Sequence, residues 1–141
     1  MINKILISNS KENKAILTVE GYNIKEEVFI GRNGVTNYKK EGDGKTPKGI
    51  FELGIVFGTH DRKDINLSNN IMYIKITDKL YWVDDINSKY YNQIIDITKV
   101  NKDWDSAEHL IQYYKEYEYA VEIKTNPKNI KGKRKCNIFT L

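Results

Sequence analysis

Hydrophobic and polar residues alternate in short runs along most of this chain, a pattern typical of β-strands. Asn, Ser, Lys and Gly residues separate the runs and favour turns between them. The runs occupy residues 4–8, 15–19, 28–31, 49–57, 72–77, 80–84 and 119–123. The pattern therefore predicts a mainly β domain.

One segment departs from this alternation and predicts an amphipathic helix over about 104–117. Asp105 is followed three residues later by Glu108, the spacing of a capping box at a helix N-terminus. Apolar residues then recur at helical spacing, namely Ala107, Leu110, Ile111, Tyr114 and Tyr117. We expect this apolar stripe to contact the core rather than to form a cofactor site.

The run Glu-Gly-Asp-Gly-Lys-Thr-Pro-Lys-Gly-Ile-Phe at residues 41–51 predicts a turn that leads into a strand. Its Gly-Lys-Thr also resembles the end of a phosphate-binding loop. That loop requires a glycine where Lys39 stands, and it must run into a helix. Pro47 and Gly49 oppose a helix here, so nucleotide binding is not expected.

Length and charge narrow the class of protein only partly. The chain has 141 residues, which fits a single domain over 1–141. Its net charge of +4 suits an anionic partner such as nucleic acid, anionic lipid or a cell-wall polymer, without choosing among them. No apolar run approaches the ~20 residues of a membrane span, and residues 1–9 become polar too quickly for a signal peptide.

Three side chains are candidates for metal binding or nucleophilic catalysis. His60 and His109 are the two histidines, and His60 lies in a polar loop with Asp61 and Asp64. A zinc site needs three or four ligands, and two histidines far apart in sequence with loop carboxylates do not favour one. Cys136 is the single cysteine, and the basic residues before it would favour its thiolate. No histidine follows it to act as a base, so we expect Cys136 to be a small residue that begins a terminal strand.

A polar segment after residue 83 holds the candidate groove residues Asp84, Asp85, Ser88 and Asn92. Adjacent residues of a strand point to opposite faces, so Asp84 and Asp85 are expected to form a charged turn rather than a shared acid–base site. Ser88 and Asn92 are candidates to line a cleft. Tyrosines interleave with lysines nearby, which nucleic-acid stacking would allow, but no nucleic-acid-binding module is present.

The order of motifs resembles the catalytic domain of the L,D-transpeptidase family (YkuD-type). The resemblance extends in register over nearly the whole chain. Its landmarks are the first strand at 4–8, the Gly-rich run 41–51, Phe57-Gly58, Trp82-Val-Asp-Asp85, Ser88, Tyr91-Asn92, and Trp104 with Ser106, Ala107 and Glu108.

The resemblance implies a β-sandwich of mixed sheets that form a groove, with the one helix at about 104–117. It implies a cysteine acyltransferase that cross-links or modifies peptidoglycan stem peptides through a thioester, without a metal or organic cofactor. A histidine serves as the base, and backbone N–H groups hold the oxyanion. It also implies an extracytoplasmic or cell-wall location, although the chain carries no signal peptide.

The resemblance breaks down near residue 141. The family has a strand of the form Ile-Phe-x-His and then a Gly-Cys motif. Here Ile138-Phe139 fits the strand, but Leu141 occupies the position of the histidine. Cys136 precedes that pair and does not inherit the role of the nucleophile. We therefore expect a domain without its C-terminal strands and catalytic segment, inactive as this chain.

Two further expectations follow. Open sheet edges would favour self-association. The alternative to a transpeptidase is a non-catalytic module that binds peptidoglycan stem peptides or an anionic wall polymer, and a nucleic-acid binder ranks below both.

Overall fold

The computed structural model describes residues 4–133 and 136–139 and is mainly β, as the alternation predicted. Twelve strands are described. They are β1 (Ile5–Lys11), β2 (Lys14–Val19), β3 (Lys25–Phe29), β4 (Val35–Thr36), β5 (Thr46–Pro47), β6 (Leu53–Gly58), β7 (Tyr73–Lys75), β8 (Leu80–Val83), β9 (Ile94–Asp96), β10 (Ala107–His109), β11 (Tyr119–Ile123) and β12 (Cys136–Phe139).

The chain divides into two compact units between Ile50 and Phe51. This division means that residues pack more closely within each unit than between the two. The prediction that residues 1–141 form a single domain concerns folding, and it stays a prediction.

In the first unit, β1, β2 and β3 form an antiparallel sheet in that order. A short parallel pair, β4 with β5, lies beyond it. Among the side chains described here, Ala15 is the one buried hydrophobic residue. Leu6 and Phe29 are 52% and 65% exposed. Backbone hydrogen bonds of the sheet and turns, rather than a large apolar core, therefore hold this unit together.

The second unit contains two sheets. The larger is mixed and has the order β12-β11-β6-β7, with β6 and β7 parallel and the other pairs antiparallel. The smaller is antiparallel and has the order β10-β8-β9. Alternation explains their two faces: Ala120 and Glu122 of β11 are buried, whereas their neighbours in the strand are half-buried.

The two sheets share one hydrophobic core. Phe57 from β6 and Trp82 from β8 meet edge to face, with ring centroids 6.0 Å apart. Phe57 also contacts the ring of Tyr117, with centroids 5.6 Å apart. Each such aromatic pair adds about 0.5–1.5 kcal/mol beyond the burial of its surface. The second unit is thus built on apolar packing.

The predicted helix over 104–117 is wrong. Residues Ala107–His109 form β10 and pair with β8, and Leu110–Tyr113 form a single 3-10 turn. Glu108 caps no helix, because it lies within β10, and its carboxylate accepts a hydrogen bond from the Tyr117 hydroxyl at 2.9 Å. The imidazole of His109 stacks on Tyr81, with centroids 4.3 Å apart. Cross-strand contacts therefore outweigh the local helical periodicity.

Some strand boundaries also differ from the prediction. The predicted strand 49–57 begins only at Leu53, since Gly49 has φ 152° and Ile50 is fully exposed. The predicted strand 28–31 lies earlier, at Lys25–Phe29. The expectation that Cys136 begins a strand is confirmed.

Candidate functional site

A cleft of about 250 Å³ lies between the two sheets of the second unit. Its lining comes from both sheets and from the loop before β9: Ile55, Ile74, Trp82, Asn92, Gln93, Ile94 and Glu122. Aliphatic and indole surfaces predominate, and Glu122 is the one acidic residue in this lining. An apolar cavity with a few convergent polar groups is the usual form of a small-ligand site.

Glu122 is buried, with 7% of its surface exposed. It lies in β11, where the pairing with β6 shifts register between Val121 and Ile123. Its carboxylate accepts a hydrogen bond of 3.4 Å from the backbone N–H of Ile55. The shift leaves two residues of β6, Gly54 and Ile55, opposite the single residue Glu122. Such an irregularity leaves ladder groups without their regular partners, and here the carboxylate meets the N–H of Ile55.

Gly54 provides the space for this carboxylate. A Cβ atom added at position 54 would lie 2.3 Å from Oε2 of Glu122 and 3.0 Å from its carboxyl carbon. No real Cβ contact is that short, so any larger residue at 54 would displace the acid. Gly54 and Glu122 therefore form a matched pair in neighbouring strands.

Asn92 forms another part of the cleft wall. It is 1% exposed and has φ 63°, a left-handed conformation that asparagine tolerates better than most residues. Its N–H donates to the carbonyl of Val83 at 2.8 Å, which ties the turn to β8. Its side-chain amide donates to the carbonyl of Lys133 at 2.8 Å.

The Lys133 carbonyl accepts three side-chain hydrogen bonds. Besides Asn92, the Tyr91 hydroxyl donates to it at 2.7 Å, and the Asn126 amide also donates to it. Asn129 donates in turn to the carbonyl of Tyr91 at 2.9 Å. This polar cluster connects the cleft wall to the segment that precedes β12.

The other predicted groove residues lie in a turn network outside the cleft lining. The Asp84 carboxylate accepts from the Ser106 hydroxyl. The Asp85 carboxylate accepts from the backbone N–H groups of Asp105 and Asn87, each at 2.8 Å, and these bonds lower its pKa. This arrangement is consistent with the charged turn expected for Asp84 and Asp85.

Ser88 is 2% exposed and belongs to the same network. Its hydroxyl donates to the Asp103 carboxylate at 2.6 Å and accepts from the N–H of Tyr90 at 2.9 Å. The bond from Ser88 is the main cause of a lowered pKa at Asp103. Of the four predicted groove residues, the structure thus brings only Asn92 to the cleft.

The Gly-rich run of the first unit forms a loop organised around Asp43. The Asp43 carboxylate accepts from the Lys39 ammonium and from the N–H groups of Lys40 and Lys45, at 2.8 and 2.9 Å. Burial raises the pKa of Asp43, but these hydrogen bonds outweigh it and lower the pKa from 3.8 to about 2. The loop leads into β5 and not into a helix.

The two histidines have aromatic and hydrogen-bonding partners away from the cleft lining. His60 stacks on Tyr119 and lies 2.8 Å from a carboxylate oxygen of Glu118. His109 lies 2.6 Å from the carbonyl oxygen of Asp78. Within residues 4–133 and 136–139, no three His, Cys, Asp or Glu side chains form a group that could hold a metal ion.

Sequence reasoning missed Glu122, the acidic residue of the cleft. A signal was present in Tyr-Ala-Val-Glu-Ile at residues 119–123. In that strand Glu122 shares its face with Ala120, which lies in the core. A charged residue on the inward face of a strand is uncommon and indicates a specific role.

Comparisons of the chain with family models, curated proteins and solved structures give no match. The resemblance to L,D-transpeptidases therefore stays a prediction. In the described part of the chain, no helix is long and apolar enough to cross a membrane.

Proposed function

We propose that this chain is an L,D-transpeptidase-like domain whose inter-sheet cleft binds a peptidoglycan stem peptide without cleaving it. The cleft between the two sheets of the second unit carries this proposal. Its lining combines apolar surface with polar groups from Asn92, Gln93 and Glu122, which suits a peptide side chain with polar ends. The ordered motifs of the sequence support the proposed family, and that family would use a groove between its sheets to bind the stem peptide.

Binding is favoured over catalysis because the described lining of the cleft contains neither a cysteine nor a histidine. A cysteine nucleophile needs a base within hydrogen-bonding reach and oxyanion donors. Neither histidine belongs to the described lining of the cleft. The single cysteine of the sequence, Cys136, follows Lys135 and so is not part of a Gly-Cys motif.

Acyl transfer is tested by incubating the chain with a stem tetrapeptide and searching for a thioester by intact-protein mass spectrometry. We expect no adduct and no release of the terminal D-amino acid. The variant Cys136→Ser is the matched control, since it keeps the size of the side chain and removes the thiol. An adduct that this substitution abolishes would show that the chain is catalytic.

Binding is tested with purified peptidoglycan sacculi in a sedimentation assay across a salt series. We expect the chain to sediment with the sacculi at low salt and to retain part of this binding at high salt, because the apolar cleft contributes. Complete loss with added salt would indicate attraction of the net charge of +4 to an anionic polymer alone. No sedimentation at any salt concentration would contradict the proposed function.

A gel-shift assay with single-stranded DNA at the same salt concentrations distinguishes binding to a wall polymer from binding to nucleic acid. The positive net charge predicts at most weak binding that disappears as salt rises. DNA binding that is tighter than peptidoglycan binding, and that persists with salt, would replace the wall proposal with a nucleic-acid function. A location outside the cytoplasm is part of the wall proposal, so an experiment that contradicts wall binding also contradicts this location.

A further inference from the structure

We propose that the Gly-rich loop of the first unit binds a chain of phosphodiesters without bases, that is, a polyol phosphate. Its binding groups are the exposed cations Arg32, Lys40 and Lys45. The inference goes beyond the proposed function, because it concerns a second ligand and a loop that belongs to the other unit. It does not require the cleft to bind a peptide.

Positive charge is concentrated in this loop. Residues 31–48 contain five basic residues and two acidic ones, whereas the net charge of the whole chain is only +4. A local excess of positive charge attracts anionic polymers. The loop therefore accounts for most of the basic character of the chain.

Three of the basic residues lie close together around Asp43. The backbone N–H groups of Lys40 and Lys45 both donate to the Asp43 carboxylate, at 2.8 and 2.9 Å. A Cβ atom added at Gly44 would lie 3.0 Å from Nε of Arg32, so the arginine side chain lies against the same turn. An anionic chain at this turn therefore meets all three cations.

The charges of these three residues are available to a ligand. The Asp43 carboxylate is paired with the Lys39 ammonium. Within the part of the chain that the structure describes, no acidic side chain forms an ion pair with Arg32, Lys40 or Lys45, and all three are exposed. Several exposed lysines elsewhere in the chain do have acidic partners.

Hydrogen bonds within the loop order its backbone. The side-chain amide of Asn33 donates to the carbonyl of Asp43 at 2.9 Å, and its backbone N–H donates to the carbonyl of Gly44 at 2.9 Å. The N–H of Thr46 donates to the carbonyl of Gly34 at 2.9 Å. An ordered loop loses less conformational entropy when a ligand binds.

The donors of the loop favour phosphate over carboxylate. The lone pairs of a carboxylate lie near one plane, whereas those of a tetrahedral phosphate point in several directions. This suits donors that come from separate segments of the loop, and an arginine guanidinium also matches two phosphate oxygens at once.

The aromatic content of the loop favours a polymer without bases. Single-stranded nucleic acids bind where successive bases stack on several aromatic side chains. Tyr38 is the one aromatic residue among residues 31–48. The loop thus offers cations for phosphates without a series of aromatic rings for bases.

The test compares two triple variants that remove the same charge. The loop variant removes the three cations of the proposed site: Arg32→Gln, Lys40→Gln and Lys45→Gln. The matched control removes three exposed lysines of the second unit: Lys63→Gln, Lys102→Gln and Lys128→Gln. Both variants lose three positive charges, so attraction through net charge alone predicts equal effects.

The probe is poly(glycerol phosphate) in solution, and its affinity is measured by isothermal titration calorimetry. We expect the loop variant to bind at least about tenfold more weakly than the unaltered chain, and the control variant to stay within about threefold. In the unaltered chain, the amide NMR resonances of Lys40 and Lys45 should shift when the polymer is added. Polygalacturonate, a carboxylate polymer, and oligothymidylate should both bind more weakly than the probe.

Four results would overturn the inference. They are no binding of poly(glycerol phosphate), an equal loss in the two triple variants, equal binding of polygalacturonate, and tighter binding of oligothymidylate. The last result would assign the loop to nucleic acid. If the loop variant does not fold, the double variant of Lys40→Gln with Lys45→Gln is compared with that of Lys63→Gln with Lys102→Gln, and a loss of at least about fivefold is expected in the former alone.

The outcome is distinguishable from failure of the proposed function. The loop variant should keep the salt-resistant part of its sedimentation with sacculi, because that part is assigned to the cleft. A chain that binds sacculi and ignores poly(glycerol phosphate) would leave the cleft proposal standing and remove the role of the loop. A chain that binds the polymer and ignores sacculi would do the reverse.

Discussion

The two units of this chain are stabilised in different ways. In the first unit, a loop aspartate and backbone hydrogen bonds organise the structure, and Ala15 is the one buried hydrophobic residue among its described side chains. In the second, Phe57, Trp82 and Leu110 form an apolar core between two sheets. The most conspicuous sequence motif therefore lies in the unit with little core, whereas the cleft lies in the unit with the core.

The largest expected effect tests the core of the second unit. Phe57→Ala should lower the free energy of unfolding by about 3–5 kcal/mol, because the ring is fully buried against Trp82 and Tyr117. Urea unfolding followed by tryptophan fluorescence measures this, since Trp82 and Trp104 both belong to that unit.

Phe29→Ala is the matched control in the first unit. Its ring is 65% exposed and lies 5.6 Å from the Lys14 ammonium, an exposed cation–π contact of about 0.5–1 kcal/mol. We expect Phe29→Ala to lower the free energy of unfolding by an amount within that range. Equal losses for the two phenylalanines would remove the contrast between the units.

The next effect tests the loop of the first unit. A Cβ at Gly31 would lie 2.4 Å from the carbonyl oxygen of Gly44, so Gly31→Ala should cost about 1–3 kcal/mol. Hydrogen exchange at the amides of Asn33 and Thr46 measures this loss of stability, since their N–H groups donate hydrogen bonds to backbone carbonyls across this loop. Exchange at Val83, in the other unit, should not change.

Gly42→Asn is the control for that substitution. Gly42 has φ +75° and open space around it, and asparagine tolerates this conformation. We expect a change below about 0.5 kcal/mol, as for most surface positions. A loss as large as that of Gly31→Ala would mean that backbone conformation, and not close approach, limits this loop.

The smallest effect depends on pH. Asp43→Asn should destabilise the loop by about 1 kcal/mol at neutral pH, because it removes charged hydrogen bonds. The folded pKa of about 2 lies below the reference value of 3.8. The contribution is therefore present above pH 3.8 and is lost as pH falls toward 2.

The measurement compares the chain with Asp43→Asn between pH 6 and pH 2, following the NMR resonances of Lys45 and Thr46 during urea unfolding. The difference in stability should shrink below about pH 4. The exposed Asp64, in the second unit, supplies the control Asp64→Asn, which should leave these resonances unaffected. A difference that stays constant to pH 2 would contradict the role of the Asp43 carboxylate.

Local alternation predicted the β character of the chain well, because buried and half-buried residues alternate with period two in strands such as Tyr119–Ile123. It failed at 104–117, where the same residues satisfy a helical period. The pairing of Glu108 with Trp82 and the stacking of His109 on Tyr81 decided that segment. Such contacts join residues far apart in sequence, which no local pattern contains.

The candidate site was predicted less well for a related reason. Asn92 was chosen from a polar turn and does line the cleft, whereas Asp84, Asp85 and Ser88 hold the neighbouring turn together. Glu122 was overlooked because a single acid in an apolar strand has no spacing motif. Its significance emerges only from its distance to Gly54, 68 residues earlier in the chain.

The contact between Gly54 and Glu122 also has a meaning for evolution. A larger side chain at 54 would displace the carboxylate at 122 from its present position, so we expect the two positions to vary together among descendants of this chain. Glycine at 54 would then mark sequences that retain the acidic cleft. Its replacement would accompany loss of the acid at 122, and the paired substitution would mark a change in this part of the cleft wall in the sequences of those descendants.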